Sequence, residues 1–453
     1  MTDTNYRTML VGAAETDITP PLGVCLAGYG YERRADGVIS PLKAHALVLG
    51  EGDKRCALIS LDLLCVPKLE GNIIRQTIAS ETGIAPERIM LCCTHAHTGP
   101  ELRGNEDWCA FPYDEKYMSD LEAAVAKVTL AALRSQALAI ACIGSQREEG
   151  LAFNRRFRMK DGSEQFGPDK QHPTALDIDE NDTDCCGPAG PTDPEFGVIA
   201  FKRELTGEPF ALIVDYALHV DVTSGDKITS DYPGIMREQL KRVYGEGLVT
   251  LFIQGASGNI NHCAYLQHSP FPNFGEWKSR QIGLALAGKA MNVVEKALPS
   301  QSSTVEMLRT VLAVPRYPKD DMVVQKLLAA IKAKKPEELA FFETVFIKLY
   351  NEYSDEGTDE REVFTLRIGD AVLCSAPGEL FVEWGLEIKK WSPFKYTFIA
   401  ALCNDYVGYI PTVEAIQRGG YEATPIISLK GTSALGQMVA DANFRNLQKL
   451  KAE

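Results

Sequence analysis

The segment Ile89-Met90-Leu91-Cys92-Cys93-Thr94-His95-Ala96-His97-Thr98-Gly99-Pro100 joins a short apolar run directly to a polar turn with two histidines. The run Arg88–Cys93 predicts a buried strand. Residues two apart in an extended backbone point the same way, so His95 and His97 are expected to face one cavity. Ligands of α/β proteins usually gather at the carboxyl ends of strands. The pattern favours a metal site at this strand end, and two hydrogen-bonded loop histidines are the simpler alternative.

Strands and helices alternate on both sides of this segment, which predicts an α/β fold of mixed sheets flanked by helices. Further predicted strands are Met9–Thr19, His45–Leu49, Cys56–Leu64, Ala137–Gly144, Phe196–Phe201, Phe210–Ala217, Leu248–Ile253 and the hairpin Glu362–Cys374. The predicted helices are Lys68–Thr82, Asp114–Gln136 and Ser279–Ala297.

Two stretches interrupt the alternation. Lys319–Tyr353 is a charged helical pair broken at Pro336, which indicates a helical insertion. Arg158–Asp193 is polar and rich in Asp, Gly and Pro, which favours a long surface excursion near a site. No internal repeat or clear boundary divides the chain. Residues 1–453 are therefore predicted to form a single domain that contains the 319–353 insertion.

The composition excludes several functional classes. The chain of 453 residues has 61 Asp plus Glu against 47 Lys plus Arg, a net charge of −14, which argues against nucleic acid or an anionic membrane surface as the main partner. No run approaches the roughly 18 apolar residues of a membrane span, and Met1–Arg7 lacks the features of a signal peptide. The twelve cysteines show no disulfide framework. We expect reduced thiols, no membrane span and a cytoplasmic protein.

Two more residues could complete a metal site with His95. His219 follows the apolar strand Phe210–Ala217, and Glu379 lies in a Pro-Gly-Glu turn after another apolar run. Two imidazoles and a carboxylate are a common ligand set of catalytic zinc. A lone core histidine and a helix-start glutamate are the simpler alternatives for each residue alone.

Ser257 offers a second kind of chemistry, because it lies in Gln254-Gly255-Ala256-Ser257-Gly258-Asn259. A nucleophile elbow needs glycine two residues after the serine, but Asn259 stands there. A tight polar loop after a strand is the stronger interpretation, and a serine hydrolase using Ser257 is kept as an alternative hypothesis.

The sequence resembles the neutral/alkaline non-lysosomal ceramidase family over nearly the whole chain. The matching pieces occur in the family's order. They are Asp17-Ile18-Thr19-Pro20-Pro21, Ala27-Gly28-Tyr29-Gly30, Ser60-Leu61-Asp62, Thr94–Pro100, Asn154-Arg155, the His219 segment, Pro377-Gly378-Glu379 and Asn404–Tyr421.

The resemblance implies a role for each matching residue. It assigns His95, His219, Glu379 and Tyr409 as zinc ligands, with Tyr409 as a weak fourth ligand. It places His97, Arg155 and Tyr421 at the reaction centre. There we expect His97 to shuttle the proton, and Arg155 and Tyr421 to stabilise negative charge on the carbonyl oxygen.

The chain departs from the family at two places. Asn261, in Gly258-Asn259-Ile260-Asn261-His262, stands where the ceramidases carry a serine that contributes to catalysis. Asn261 can hydrogen-bond a substrate but is not a nucleophile under ordinary conditions. The chain also stops at Glu453, where the ceramidases continue into an immunoglobulin-like domain. The Asn261 departure weakens ceramide as the substrate more than it weakens zinc-dependent hydrolysis.

The expected function is a ceramidase-like, zinc-dependent amidohydrolase. Zinc lowers the pKa of its bound water toward about 7, and the resulting hydroxide attacks the carbonyl carbon of an amide. A small soluble amide is the expected substrate. Hydrolysis of an ester or lactone is one alternative, and a catalytically retired protein that only binds a small ligand is another. The sequence does not indicate the oligomeric state.

Overall fold

The computed structural model describes residues 6–103, 111–169, 184–267, 269–339, 341–352, 354–425 and 432–452, without the side chains of residues 341 and 342. The strands of the described residues are β1 Thr8–Asp17, β2 Gly37–Val38, β3 Lys43–Leu49, β4 Cys56–Leu61, β5 Ile89–Cys93, β6 Ala137–Arg147, β7 Phe153–Asn154, β8 Arg156–Met159, β9 Glu164–Phe166, β10 Cys185–Pro188, β11 Glu195–Arg203, β12 Pro209–Tyr216, β13 Lys227–Ile228, β14 Val249–Gln254, β15 Ile260–Asn261, β16 Leu298–Pro299, β17 Val305–Pro315, β18 Thr358–Ile368, β19 Ala371–Ser375, β20 Glu379–Leu380, β21 Tyr396–Ala400 and β22 Tyr409–Ile410. The helices are α1 Lys68–Thr82, α2 Glu115–Arg134, α3 Asp231–Tyr244, α4 Glu276–Lys296, α5 Met322–Lys332, α6 Phe341–Glu352, α7 Val382–Trp391, α8 Val413–Arg418 and α9 Leu435–Ala452.

The largest sheet has the strand order β14-β12-β11-β6-β1-β3-β4-β5, with β16 added beside β6. Its central strands are antiparallel, and the parallel pairs β12/β14 and β4/β5 lie at its two ends. The prediction of mixed sheets flanked by helices is therefore confirmed.

The two ends of this sheet curl toward each other. Ser60 of β4 donates a hydrogen bond from its hydroxyl to the carbonyl of Phe252 in β14, at 2.6 Å. The segment after β21 bridges the same two ends, because the Ala401 amide bonds to Gln254 and the Asn404 amide bonds to Leu91, each at 2.9 Å. The strand ends that precede His95 and His219 are brought together in this way.

Side chains of the largest sheet alternate between two apolar layers, as expected for strands buried on both faces. Val198 and Ala200 of β11 pack with α3 and α4, whereas Ile199 and Phe201 pack on the opposite face. Helices α1 and α2 cover the β1–β5 part in the same manner. The opposite face packs against a second sheet of order β17-β18-β19-β21, which α9 covers from outside.

The region 319–353 contains two helices, α5 and α6, separated by a short turn of 3-10 helix at Pro336–Glu338. This agrees with the predicted helical pair, of which residues 340 and 353 lie outside the described residues. Val324, Leu328 and Phe346 of these helices pack with Tyr409 in one apolar cluster. The helical pair therefore supports Tyr409 from behind.

Local signals place several boundaries correctly. Helix α1 has the predicted bounds and ends at Gly83, which has a φ of +72°. Helix α2 begins after Asp114, whose side chain accepts a hydrogen bond from the Tyr117 amide. Strand β4, in contrast, ends three residues earlier than predicted, because the chain turns at Asp62.

The stretch 158–193 is less irregular than predicted. Strands β8, β9 and β10 form a small sheet of order β10-β8-β9, and the intervening residues 170–183 lie outside the described part. Among the described helices, none is both long enough and apolar enough to cross a bilayer.

Candidate metal centre

His95 follows β5 in a constrained turn. Its φ is +71°, which is uncommon for a residue other than glycine and is frequently found at functional sites. Its amide bonds to the Leu63 carbonyl at 3.0 Å, and its Nδ1 lies 2.9 Å from the Leu64 carbonyl oxygen. Because a carbonyl only accepts, Nδ1 carries a proton and the Nε2 atom points away from the turn. The turn after β4 thus fixes both the position and the ring orientation of His95.

His219 is oriented by the same device on the other side of the site. Its Nδ1 lies 3.0 Å from the Ser257 carbonyl oxygen, and its Nε2 lies 3.0 Å from the Nε2 of His95. Burial, with the positive charge of Arg155, holds the pKa of His219 well below its usual range. The neutral imidazole that results is the form that binds a metal ion.

His97 joins the two other imidazoles, with 3.2 Å between its Nε2 and that of His95. The rings of His95 and His97 do not come together through the extended backbone that the sequence predicted, because the positive φ of His95 turns the chain. Instead, the His97 amide bonds to the Val220 carbonyl at 3.1 Å and so ties this turn to the His219 loop. The ligand atoms of the three histidines lie within 4.8 Å of one another.

Glu379 supplies a carboxylate to this cluster. Its Oε2 lies 3.4 Å from the Nε2 of His95 and 3.5 Å from that of His219. Its Oε1 accepts a 2.8 Å hydrogen bond from the Tyr406 hydroxyl. Burial opposes ionisation, but His95, Arg155 and the Tyr406 hydrogen bond together keep the pKa of Glu379 below its ordinary value. The carboxylate is therefore ionised.

The arrangement of these four groups fits a bound metal ion. Backbone carbonyls hold the proton on Nδ1 of His95 and of His219, so the unprotonated Nε2 atoms of the two rings face each other with their lone pairs. Such lone pairs repel unless a positive charge lies between them. Glu379 Oε2 is buried without a hydrogen-bond partner among the described residues. A single proton could bridge only two of these acceptor atoms, whereas one coordinated cation could contact all three. Imidazole nitrogens with one carboxylate suit zinc and related divalent ions.

Tyr409 stands beside Glu379 because the two residues are register partners in the parallel pair β20/β22. Its hydroxyl accepts a 3.0 Å hydrogen bond from Arg155 Nη2. Burial and the neighbouring Glu379 charge raise the pKa of Tyr409 well above its usual range. Its phenol oxygen is thus neutral and held near the carboxylate.

Arg155 places a buried, positively charged guanidinium group at one side of the site. Its Nε bonds to Glu422 Oε1 at 2.9 Å, and its Nη2 bonds to the Gly258 carbonyl at 3.0 Å. Arg156 bonds to the other oxygen of Glu422 at 3.1 Å. Glu422 therefore contacts both guanidinium groups, and Glu164 adds a second ion pair to Arg156, at 3.0 Å. Tyr421, the residue before Glu422, is 40% exposed and packs edge-on against the Tyr409 ring.

A glycine makes room for the ring of His97. A Cβ on Gly28 would lie 2.8 Å from this ring, and Gly28 has a φ of +106°. The Tyr29 ring packs edge-on against His97, with 5.4 Å between centroids, and Arg33 covers Tyr29 at 4.3 Å. The Nδ1 of His97 has no hydrogen-bond partner among the described residues. His97 is thus held by packing, unlike His95 and His219.

Asn261 and Ser257 lie close in sequence but use their polar atoms locally. The Asn261 amide donates to the Tyr265 hydroxyl at 3.0 Å, and its oxygen accepts from the Cys263 amide at 3.0 Å. The Ser257 hydroxyl accepts a hydrogen bond from Gln254, and no described histidine bonds to it. Ser257 acts on the site through its carbonyl, which orients His219.

Sequence reasoning missed Tyr406 and Glu422 as functional neighbours. Tyr406 lies within the matching piece Asn404–Tyr421 without a role of its own, although its position three residues before Tyr409 places it beside the proposed ligands. Glu422 does not belong to any motif that would single it out in the sequence. The adjacent basic pair Arg155-Arg156 was the available signal, because two buried guanidinium groups require a nearby carboxylate.

The fold and the cluster define a mixed α/β protein with three buried histidines that can hold a metal ion. The fold is ceramidase-like. Neutral ceramidase from Pseudomonas aeruginosa aligns with a TM-score of 0.72 and 17% identity, over 98% of this chain and 75% of that chain. A ceramidase complexed with C2 aligns with a TM-score of 0.70 and 17% identity, over 98% and 76%. Neither a protein-family model nor a curated protein sequence matches the chain.

Proposed function

We propose that this protein is a zinc-dependent hydrolase that cleaves a carbon–nitrogen amide bond in a small substrate. The observation that carries the proposal is the convergence of the Nε2 atoms of His95 and His219 with Glu379 Oε2. The ceramidase-like fold supports the same chemistry, because ceramidases are amide hydrolases. Hydrolysis of an ester or lactone by the same groups is the closest alternative.

The proposed ligands are His95, His219 and Glu379, with the Tyr409 oxygen as a fourth. A zinc ion held there would polarise a carbonyl group and lower the pKa of water. His95 and His219 suit this role because each has its Nδ1 bonded to a backbone carbonyl, which fixes the tautomer that a metal ion needs.

His97 is proposed to move protons rather than to bind zinc. Its Nδ1 has no fixed partner, so the ring can exchange a proton at that atom. Burial and the charge of neighbouring groups hold the pKa of His97 well below its usual range, so the ring is neutral before the reaction begins.

Arg155 and Tyr421 are proposed to stabilise the negative charge that develops on the carbonyl oxygen. Arg155 is preorganised by Glu422, so its charge needs no reorientation during the reaction. Tyr421 is partly exposed and can reach a bound substrate. Asn261 is proposed only as a residue that keeps its local turn in shape, since both of its polar side-chain atoms are used.

The proposal is tested by metal analysis of purified wild type and of His95→Ala and His219→Ala. Wild type is expected to contain about one zinc per chain, and each variant should contain almost none. His45→Asn is the matched control, because His45 is an equally buried histidine that contacts Arg237 instead of the cluster. Full zinc content in both alanine variants would overturn the ligand assignment.

Activity is tested on a panel of amides, esters and lactones with and without 1,10-phenanthroline. Amide hydrolysis that the chelator abolishes and added zinc restores is expected. Labelling of Ser257 by a fluorophosphonate, with activity unaffected by the chelator, would support the serine hydrolase instead. Tight ligand binding without turnover on the whole panel would support a retired enzyme.

A further inference from the structure

A second pair of polar groups lies beside the proposed metal centre and is not used by the mechanism. Asp221 follows His219 by two residues, and its Oδ1 is buried without a hydrogen-bond partner among the described residues. The Nδ1 of His262, a residue that is only 1% exposed, is likewise unpartnered within the described chain. The two atoms face each other across 3.7 Å.

At this separation no group fits between the two atoms, so a ligand would have to bind alongside both of them. A direct hydrogen bond between nitrogen and oxygen measures about 2.7–3.2 Å, so the pair is too far apart to satisfy itself. Buried polar atoms without partners are rare and usually indicate a missing ligand or water. An ionised carboxylate only accepts hydrogen bonds, so the group that fits against Asp221 is a donor.

Asp221 has one close basic partner among the described residues, the imidazole of His262. No lysine or arginine in the described part of the chain lies within ion-pair distance of it, and 21% of its side chain is open to solvent. Burial and, secondarily, the Asp221 charge raise the pKa of Tyr29, which places the carboxylate near the ring that packs on His97. An ionised carboxylate without a lysine or arginine partner favours a cationic ligand.

His262 is held in place by its surroundings. The Phe274 ring packs edge-on against it, with 4.9 Å between centroids, and its Nε2 lies 3.6 Å from Cys263 Sγ. The loop with Phe274 is tied to the Asp221 loop by a hydrogen bond from the Gly275 amide to the Val222 carbonyl, at 2.8 Å. The spacing between Asp221 and His262 is therefore fixed by the contacts of their loops.

We propose that Asp221 and His262 form a subsite that binds a protonated amino group of the substrate. Amides with a free ammonium group are then preferred over neutral or acidic amides of the same size. This inference rests on the proposed function, since it names the substrate class of that same site. The Asp221 carboxylate is the specificity-determining group, and His262 lies opposite it.

Three small amides of matched size test the preference: N-acetylethylenediamine, N-acetylethanolamine and N-acetylglycine. Acetate release by the zinc-loaded full chain is measured for each. Wild type is expected to show the highest kcat/KM on N-acetylethylenediamine. Asp221→Asn should lower that value about 10- to 100-fold, the range of a lost charge-assisted hydrogen bond, and should leave N-acetylethanolamine almost unchanged.

Asp226→Asn is the matched control, because Asp226 is an exposed carboxylate five residues further along the same loop. It should leave all three substrates unaffected. Zinc content is measured in every variant, so that loss of the ion is separated from loss of the subsite. Equal effects of Asp221→Asn on all three amides, at full zinc content, would overturn the proposal.

Binding separates this inference from the proposed function. Isothermal titration with N-acetylethylenediamine and with N-acetylglycine reports the preference even if the protein cleaves neither compound. A preference for the ammonium compound that Asp221→Asn removes, without turnover, would support the subsite and contradict the hydrolase. Hydrolysis of all three amides without a preference would do the reverse.

Discussion

The Tyr406 hydroxyl donates a 2.8 Å hydrogen bond to Oε1 of Glu379, and the other oxygen of that carboxylate faces His95 and His219. The phenol therefore orients the carboxylate without entering the cluster. Groups that hold metal ligands in this way commonly contribute 10- to 100-fold to metal affinity.

Tyr406→Phe is expected to weaken zinc binding about 10- to 100-fold while the protein stays folded. Competition with a fluorescent chelator measures the affinity. Tyr117→Phe is the control, because the buried Tyr117 loses one comparable hydrogen bond, to the Ile18 carbonyl, away from the cluster. Unchanged affinity in Tyr406→Phe would mean that Glu379 is oriented by its backbone alone.

Gly28→Ala tests whether His97 moves protons or binds the metal ion. The new Cβ would lie 2.8 Å from the His97 ring and should displace it. We expect activity to fall more than tenfold, the usual loss when a general acid–base group is misplaced, with zinc content unchanged. Metal analysis and kcat are the two measurements.

The control for this substitution is Gly23→Ala. Gly23 also has a positive φ, +88°, but a Cβ there would meet no atom within 4 Å. Both variants carry the same kind of backbone strain, about 1 kcal/mol, so only the contact with His97 differs. A parallel loss of zinc in Gly28→Ala alone would make His97 a ligand.

Removal of the metal ion should destabilise the fold. A ligand present at about a thousandfold its dissociation constant stabilises the native state by about 4 kcal/mol. Denaturant unfolding of wild type with and without chelator should show a loss of this order. In His219→Ala the chelator should have almost no effect, and an equal effect in both proteins would show that the chelator acts elsewhere.

Glu422→Gln is expected to destabilise the protein by about 3 kcal/mol, because it leaves Arg155 buried without its counter-charge, whereas Arg156 keeps its pair with Glu164. It should also lower kcat, since Arg155 loses its fixed orientation. Denaturant unfolding and steady-state kinetics measure the two effects.

Glu414→Gln is the comparison for that variant. Its carboxylate pairs with Arg158 and Arg418, but its side chain is 61% exposed. Surface pairs of this kind contribute about 1 kcal/mol or less, so a small change is expected. Similar losses in both variants would show that burial of the Glu422 pair carries no special energy.

The sequence predicted the eight main strands of the largest sheet, helices α1, α2 and α4, and the two strand ends that bear His95 and His219, because hydrophobic periodicity is a local signal. It did not predict helices α3, α7 and α9 or strands β17 and β21. Nor did it predict the curling that brings the two strand ends together. That arrangement depends on contacts such as Ser60 with Phe252, which are 192 residues apart. Periodicity within each strand carries no information on such pairings.

The supporting residues of the site were harder to predict for the same reason. Glu422 meets Arg155 across 267 positions, and Asp221 faces His262 only after two loops have folded. A charged residue in a loop is usually solvated, so its sequence gives no reason to single it out. Only the three-dimensional arrangement shows that Glu422 is buried and that Asp221 faces His262.

The order of the candidate ligands along the chain has a consequence for biosynthesis. His95 and His219 lie in the first half, whereas Glu379 and its partner Tyr409 lie near the carboxyl end. A nascent chain on the ribosome therefore has two imidazoles but no carboxylate until most of the protein has emerged. The proposed zinc site is therefore expected to take up its ion late in maturation, after synthesis is nearly complete.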